Sequence, residues 1–336
     1  MSSSHRCMVG AAAALALAGC GLGGGSAGHS AGPASTSDTT TTSAHVVATL
    51  DVTSPNQAVV TQTRLWLLGG PSGVITQVDP ATNTVTSVVT PPYPVGFGTY
   101  AGGFLWVASF MKDVVMQLDA DSGQVLRTIK RSPSAPWDGP VGLDSTGTDL
   151  WVVNHNSSTL VRLDFLTGEV DGTIRLPGRK PAGPLLAADA LWIAMTKSNL
   201  VVRVDPSTGR IDGAPIHLDT GACAASSGAG GGLWYTSLDV EDFGCHDGTQ
   251  RLDPRTGEVS PLDYGAGMST FADFGSEVWA SDRDRTLYRV DVASGTLTPT
   301  LTLDGGAASN RLVSAFGSLW VLRPETNQLV RIDTSS

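Results

Sequence analysis

Residues 150–176 read LWVVNHNSSTLVRLDFLTGEVDGTIRL, and this stretch decides the fold. Leu150 to Val153 form a short run of branched and aromatic residues, the composition of a buried strand. Asn154 to Ser158 are turn formers. Thr159 to Asp164 alternate polar and apolar side chains with period two, which places one strand face against a core and leaves the other wetter. Asp164 opens and Gly168 closes a tight turn, because Asp caps neighbouring backbone N–H groups and Gly tolerates positive φ. Thr173-Ile174-Arg175-Leu176 alternates again. The stretch is three strands and two turns, with no helical periodicity.

The same pattern recurs along the chain. A branched or long apolar residue precedes Trp at Leu65-Trp66, Leu105-Trp106, Leu150-Trp151, Leu191-Trp192, Leu233-Trp234, Val278-Trp279 and Leu319-Trp320, at spacings of 40, 45, 41, 42, 45 and 41. Periods of this length with β alternation indicate four-stranded propeller blades, and seven copies predict seven blades. Asp follows the Trp at Asp79, Asp119, Asp164, Asp205, Asp253, Asp291 and Asp333, and the wider interval before Asp253 marks an insertion in blade five, Ser237 to Gly248. The expected fold class is therefore all-β: a seven-bladed propeller of four-stranded antiparallel blades over residues 46–336. The seventh repeat ends at Asp333 to Ser336 without a fourth strand. Val47 to Val52 carry the missing pattern, so the N-terminal strand is expected to complete the last blade and close the ring.

These repeats resemble the YVTN-type propeller repeat, whose pattern likewise runs from an aromatic strand through an Asn-rich loop to Ile-Asp-x-x-Thr-Gly and a Thr-Ile strand. The resemblance covers about 290 residues and implies the fold. That family and its relatives include surface proteins, binding modules, lactonases and virginiamycin B lyase-like propellers, so it does not select a function. The lyase-like members hold magnesium with a central His and acidic residues, commonly as Glu-x-His. No Glu-x-His occurs in this chain.

The N-terminus reads as an address. Arg6 precedes an apolar core, Val9 to Ala18, too short to span a bilayer, and residues 1–19 fit a signal peptide. Leu17-Ala18-Gly19-Cys20 resembles the lipobox of bacterial lipoproteins, which implies lipidation at Cys20 and a place on the outer face of the cytoplasmic membrane; ordinary cleavage after Ala18 is the alternative. Residues 20–45 are a Gly, Ser, Thr and Ala tether that spans roughly 25 to 30 Å as a flexible coil. With Cys7 in the leader and Cys20 acylated, Cys223 and Cys245 remain as an even pair in an oxidising compartment, and a disulfide between them is expected. Closing that loop would add about 3 kcal/mol.

The formal charge is −10, so the chain lacks the basic field that attracts nucleic acid or anionic lipid, and membrane contact is expected through the lipid anchor alone. Features shared by all blades are explained by blade packing, whereas one ligand site needs asymmetry. In a propeller the loops joining strand D to the next strand A, and strand B to strand C, emerge on one face. On that face the unique residues are Trp137 and Asp138 entering blade three, Asn154 and His155 in its B–C loop, Asp242 and His246 in the blade-five insertion, Asp282 and Arg283 in blade six, and Arg311 entering blade seven. Trp137 would serve either as an exposed recognition aromatic or as a hydrophobic plug for its loop. The insertion crowds carboxylates around His246, but without EF-hand spacing or a second His, so no metal ligand is assigned. Nucleophile elbows and phosphate-binding glycine loops are missing from the sequence, and no cofactor or catalytic residue is read from it. The expected function is a binding or protein-interaction scaffold for a small molecule, glycan or protein. The alternative is a propeller enzyme of lyase or lactonase type with a metal in the central funnel.

Overall fold

The repeated pair of an apolar residue and Trp joins each blade to both of its neighbours. The two side chains point to opposite faces of strand B, as successive strand residues must. Trp66 packs with Leu105 of the next blade, Trp106 with Leu150, and Trp151 with Leu191. Trp192 packs with Leu233, Trp234 with Val278, Trp279 with Leu319, and Trp320 returns to Leu65 of blade one. Each interface is one apolar cluster, and seven clusters close a ring. All seven Trp side chains are buried.

The computed structural model describes residues 44–147, 149–219, 225–237, 248–262, 268–283, 285–305 and 310–334. It contains seven antiparallel sheets, each a consecutive A-B-C-D meander except the last. Blade three is representative, with strands Pro140–Thr146, Asp149–Asn154, Thr159–Asp164 and Val170–Arg175. Strand A of every blade touches strand A of the next around the axis, so these strands line the central channel. Blade seven takes strands A to C from Arg311–Ala315, Ser318–Arg323 and Gln328–Asp333, and its fourth from His45–Asp51. That closing strand runs antiparallel to strand C, from His45 opposite Asp333 to Asp51 opposite Gln328. In blade four the outer strand is split into Arg210–Ile211 and Ile216–His217, both paired to strand C, which puts His217 on the periphery. Helical structure among the described residues is limited to two single 3-10 turns, Gly70–Ser72 and Phe110–Lys112.

The Asp column caps the C–D turns as its position requires. Asp79, Asp119, Asp164, Asp205, Asp253 and Asp291 each accept backbone N–H groups two or three residues on. Hydrogen bonds to the charged carboxylate lower its pKa, most clearly at Asp205, where the Ser207 and Thr208 hydroxyls bring it to about 2. The turns close at positive φ on Asn83 and on Gly123, Gly168, Gly209, Gly257 and Gly295. The long polar column is split between two devices. In blades three to seven an Arg lies over the Trp of its own blade, from Arg162 over Trp151 to Arg331 over Trp320. In blades one and two Gln replaces it and reaches the next blade, Gln77 donating to Asp121 O and Gln117 to Phe165 O. Arg331 also crosses the closure, donating to Pro80 O and Asn83 Oδ1 of blade one.

Candidate functional site at the channel mouth

One face of the ring carries both the D–A and the B–C loops, and backbone hydrogen bonds tie them together. His155 N–H donates to Gly139 O and Asn156 N–H to Asp138 O in blade three, while Arg285 Nη1 donates to Gly305 O across blades six and seven. In blades three, six and seven the residue three after the blade Trp ends strand B and clamps these loops. In blade three this is Asn154, fully buried, which donates to Pro136 O and Thr159 Oγ1 and accepts from Asp138 N–H. In blade six it is Asp282, whose Oδ1 accepts from Arg285 and Thr286 N–H and whose Oδ2 accepts from the Tyr288 hydroxyl. In blade seven it is Arg323, which donates to Asp304 O and Gln328 Oε1. Asn154 and Asp282 thus occupy one repeating structural position, and their polar atoms hold loops in place.

Of the two readings of Trp137, the structure selects the plug over the exposed recognition aromatic. Its ring is fully buried in the cluster between blades two and three, and its indole N–H donates to Ile129 O at 3.1 Å. It is the plug beneath its loop. Above it, Arg131 bridges Asp113 at 3.1 Å and Asp138 at 3.5 Å, and Asp113 accepts from Gly139 N–H. His155 is half-buried, with Nδ1 2.8 Å from Pro181 O of blade four and its ring edge-on to Phe110 of blade two. A carbonyl oxygen only accepts, so Nδ1 carries the proton and Nε2 is the acceptor. Burial lowers the His155 pKa and keeps the ring neutral at physiological pH. Arg283 is exposed at the tip of its B–C loop. Cys20, Asp242, His246 and the Cys223 and Cys245 pair lie outside the described residues.

The structure adds a channel ring that sequence reasoning passed over. The residue nine before the blade Trp lies at one level of strand A, where Gln57, Gly142, Thr270 and Arg311 each sit opposite the residue two after the Trp. At blades three and four this ring is closed by backbone, since a side chain on Gly142 would collide with Gly183. At blade one Gln57 is fully used, donating to Gly98 O and accepting from Gly98 N–H. At blades six and seven the polar atoms are unused. Thr270 Oγ1, both amide atoms of Asn310 and Arg311 Nη1 are shut off from solvent and have no hydrogen-bond partner. Aligning the repeats nine residues ahead of the Trp would have exposed this asymmetry.

Seven residues ahead of the Trp, only blade three carries a carboxylate. Asp144 is 1% exposed and accepts from its own neighbour Ser145 N–H and from Leu186 N–H of blade four. Burial pushes its pKa from the ordinary 3.8 up to about 7 despite those two bonds. The native state therefore holds this proton over a range in which the unfolded chain has lost it. The contribution is full below pH 3.8 and is lost as pH rises towards about 7. Asp144→Asn is expected to flatten that part of the stability profile, by a few kcal/mol across the window. Denaturant melts of both proteins between pH 4 and 8 check this, and parallel profiles would refute it.

No family model matches the chain, and no curated protein matches it. Solved structures do. A streptogramin B lyase aligns over 84% of this chain and 94% of its own, with a TM-score of 0.67 at 19% identity. Virginiamycin B lyase from Staphylococcus aureus aligns over 86% and 99%, with a TM-score of 0.70 at 16% identity. BamB from Moraxella catarrhalis aligns over 86% and 99%, with a TM-score of 0.60 at 13% identity. At such identities the similarity speaks for architecture, and the blade count, the strand order and the closed ring agree with it: the folded part of this chain is a seven-bladed propeller like that of virginiamycin B lyase.

Proposed function

We propose that this chain is an exported, lipid-anchored binding module whose propeller holds its ligand at the channel mouth. One observation carries the binding reading: a guanidinium nitrogen and a complete side-chain amide are buried there without partners. A folded protein pairs nearly all of its buried polar atoms, and each unpaired one costs about 1–3 kcal/mol, so a cluster of them is best supported as a site awaiting an occupant. Native mass spectrometry of the purified protein tests it. The expected result is a small molecule retained at one per chain; a bare chain under all purification conditions would count against binding.

The anchor rests on Leu17 to Cys20. Cys20→Ala is expected to shift the mature protein from the membrane fraction to the soluble fraction, or to leave it unprocessed, whereas the wild type partitions into detergent and carries acyl mass. Two acyl chains suffice for stable anchoring. An unmodified Cys20 in mature protein would refute lipidation.

A further inference from the structure

The net charge of −10 hides a basic sector on the loop-bearing face. The chain has four lysines, and the fold brings all of them to that face over blades two to four. Lys112 lies in the B–C loop of blade two and Lys197 in that of blade four, Lys130 ends strand D of blade two, and Lys180 lies in the D–A loop entering blade four. Arg131, Arg175 and Arg179 join them from the ends of the same strands and loops. Asp113, Asp138 and Asp219 are the carboxylates of these loops among the described residues, so seven cations stand against three anions. At blades six and seven the same face is mixed, with Arg283, Arg285 and Arg323 set among Asp282, Asp304 and Glu325.

Direct contacts make the basic sector continuous. Lys112 adjoins Asp113, Arg131 bridges Asp113 and Asp138, and Asn156 N–H donates to Asp138 O. Lys180 Nζ donates to Asn156 Oδ1 at 2.9 Å, and Lys197 N–H donates to Arg179 O at 3.2 Å. Asp113 also accepts from Gly139 N–H, so it is used in holding the loop. Lys112, Lys130, Arg131, Arg175 and Arg179 are exposed to solvent. Burial lowers the His155 pKa and the Lys180 charge adds to the effect, a local sign of the positive field. Beside Lys112, Met111 is 70% exposed, the most exposed large apolar side chain among the described residues.

We propose that this sector docks a short acidic segment of a protein partner, with an apolar side chain of that segment set against Met111. Lys and Arg heads pair with carboxylates, and the unbranched Met side chain adapts to apolar partners of varied shape. Complementary charge steers such a segment to one part of the face and fixes its register there. A long polyanion or an anionic bilayer reaches past the sector, where it meets Asp282, Asp304 and Glu325 on the same face. A short segment does not.

Anisotropy titrations of the full mature protein in a nonionic detergent, at pH 7.5 and 50 mM salt, test this with a short fluorescent peptide of glutamates and leucines. The comparison probes are the same peptide with glutamine for glutamate, one with serine for leucine, a labelled single-stranded oligonucleotide and labelled polygalacturonate. The glutamate and leucine peptide is expected to bind at least tenfold more tightly than its glutamine form and more tightly than every other probe, and to weaken as salt rises to 300 mM. Lys112→Glu combined with Arg179→Glu should weaken it at least tenfold and flatten the salt dependence, because rim attraction becomes repulsion. The matched pair Arg210→Glu and Arg255→Glu, at the opposite end of the blades, should change it less than twofold. Met111→Ser should bring the leucine peptide down to the affinity of the serine peptide. The wild-type comparison of probes stands alone should a charge-reversed pair fail to fold. A glutamine peptide that binds as well, an oligonucleotide or polygalacturonate that binds more tightly, or a basic-sector pair no weaker than its matched control overturns the proposal.

Discussion

Deleting His45–Asp51 is expected to abolish the single cooperative unfolding transition of the propeller. This strand supplies the fourth position of blade seven, pairing with Gln328–Asp333 from end to end. It also delivers Leu50 to the cluster that joins blade seven to blade one. Its removal exposes the edge of strand C, a template for pairing with another chain, and opens the one interface whose two sides are far apart in sequence. The loss is comparable to the whole stability of an ordinary domain, about 5–15 kcal/mol. Calorimetry and size-exclusion chromatography check it. The expected result is a lost or broadened transition with aggregation, whereas trimming residues 21–40 should change neither. A sharp, unshifted melt after removing the strand would contradict the closure.

Trp137→Ala is expected to be a folding mutation. The ring is fully buried between blades two and three and spends its only polar hydrogen on Ile129 O. Truncating a buried Trp to Ala costs about 3–5 kcal/mol, through lost burial and the cavity left behind. In a domain of this size that lowers Tm by roughly 6 °C or more. Trp137→Phe should recover part of the loss, because the smaller ring refills much of the plug but leaves some cavity and one missing hydrogen bond. Thermal melts of the two variants decide the matter. An unshifted Tm for the alanine variant would return Trp137 to the surface role that its burial denies.

The blades were legible because each repeats the same physical solution. Trp and its apolar predecessor face opposite interfaces, Asp caps the C–D turn, and a residue at positive φ ends it; seven copies average out local ambiguity. The closing strand was legible for the same reason, since Val47 to Val52 carry a pattern that the seventh repeat lacks. Unique residues offered no such averaging. Trp137 stood outside the repeat, and sequence could not tell a surface aromatic from a plug, because its partner Ile129 is brought to it by the loop's path rather than by periodicity. Asn154 and Asp282 looked individual until the register placed both three residues after a blade Trp, where they clamp loops. Arg311 was read as a candidate, but its neighbours Thr270 and Asn310 acquired meaning only when strand A was found to line the channel. Asp144 was missed outright. Its chemistry comes from burial between two blades, which a lone Asp in an alternating strand does not announce.

The measurement that bears most directly on the account is a mass balance for small molecules mixed with purified mature protein. A panel of small molecules of several charge types is incubated with wild type and with Arg311→Met, with and without a metal chelator, and each compound is quantified by mass spectrometry in the bound and free fractions. A binding module retains at most one molecule per chain, returns it chemically unchanged, ignores the chelator and loses retention in Arg311→Met. Consumption of many molecules per chain, abolished by the chelator and indifferent to Arg311, would contradict the account and make this propeller a metal-dependent enzyme.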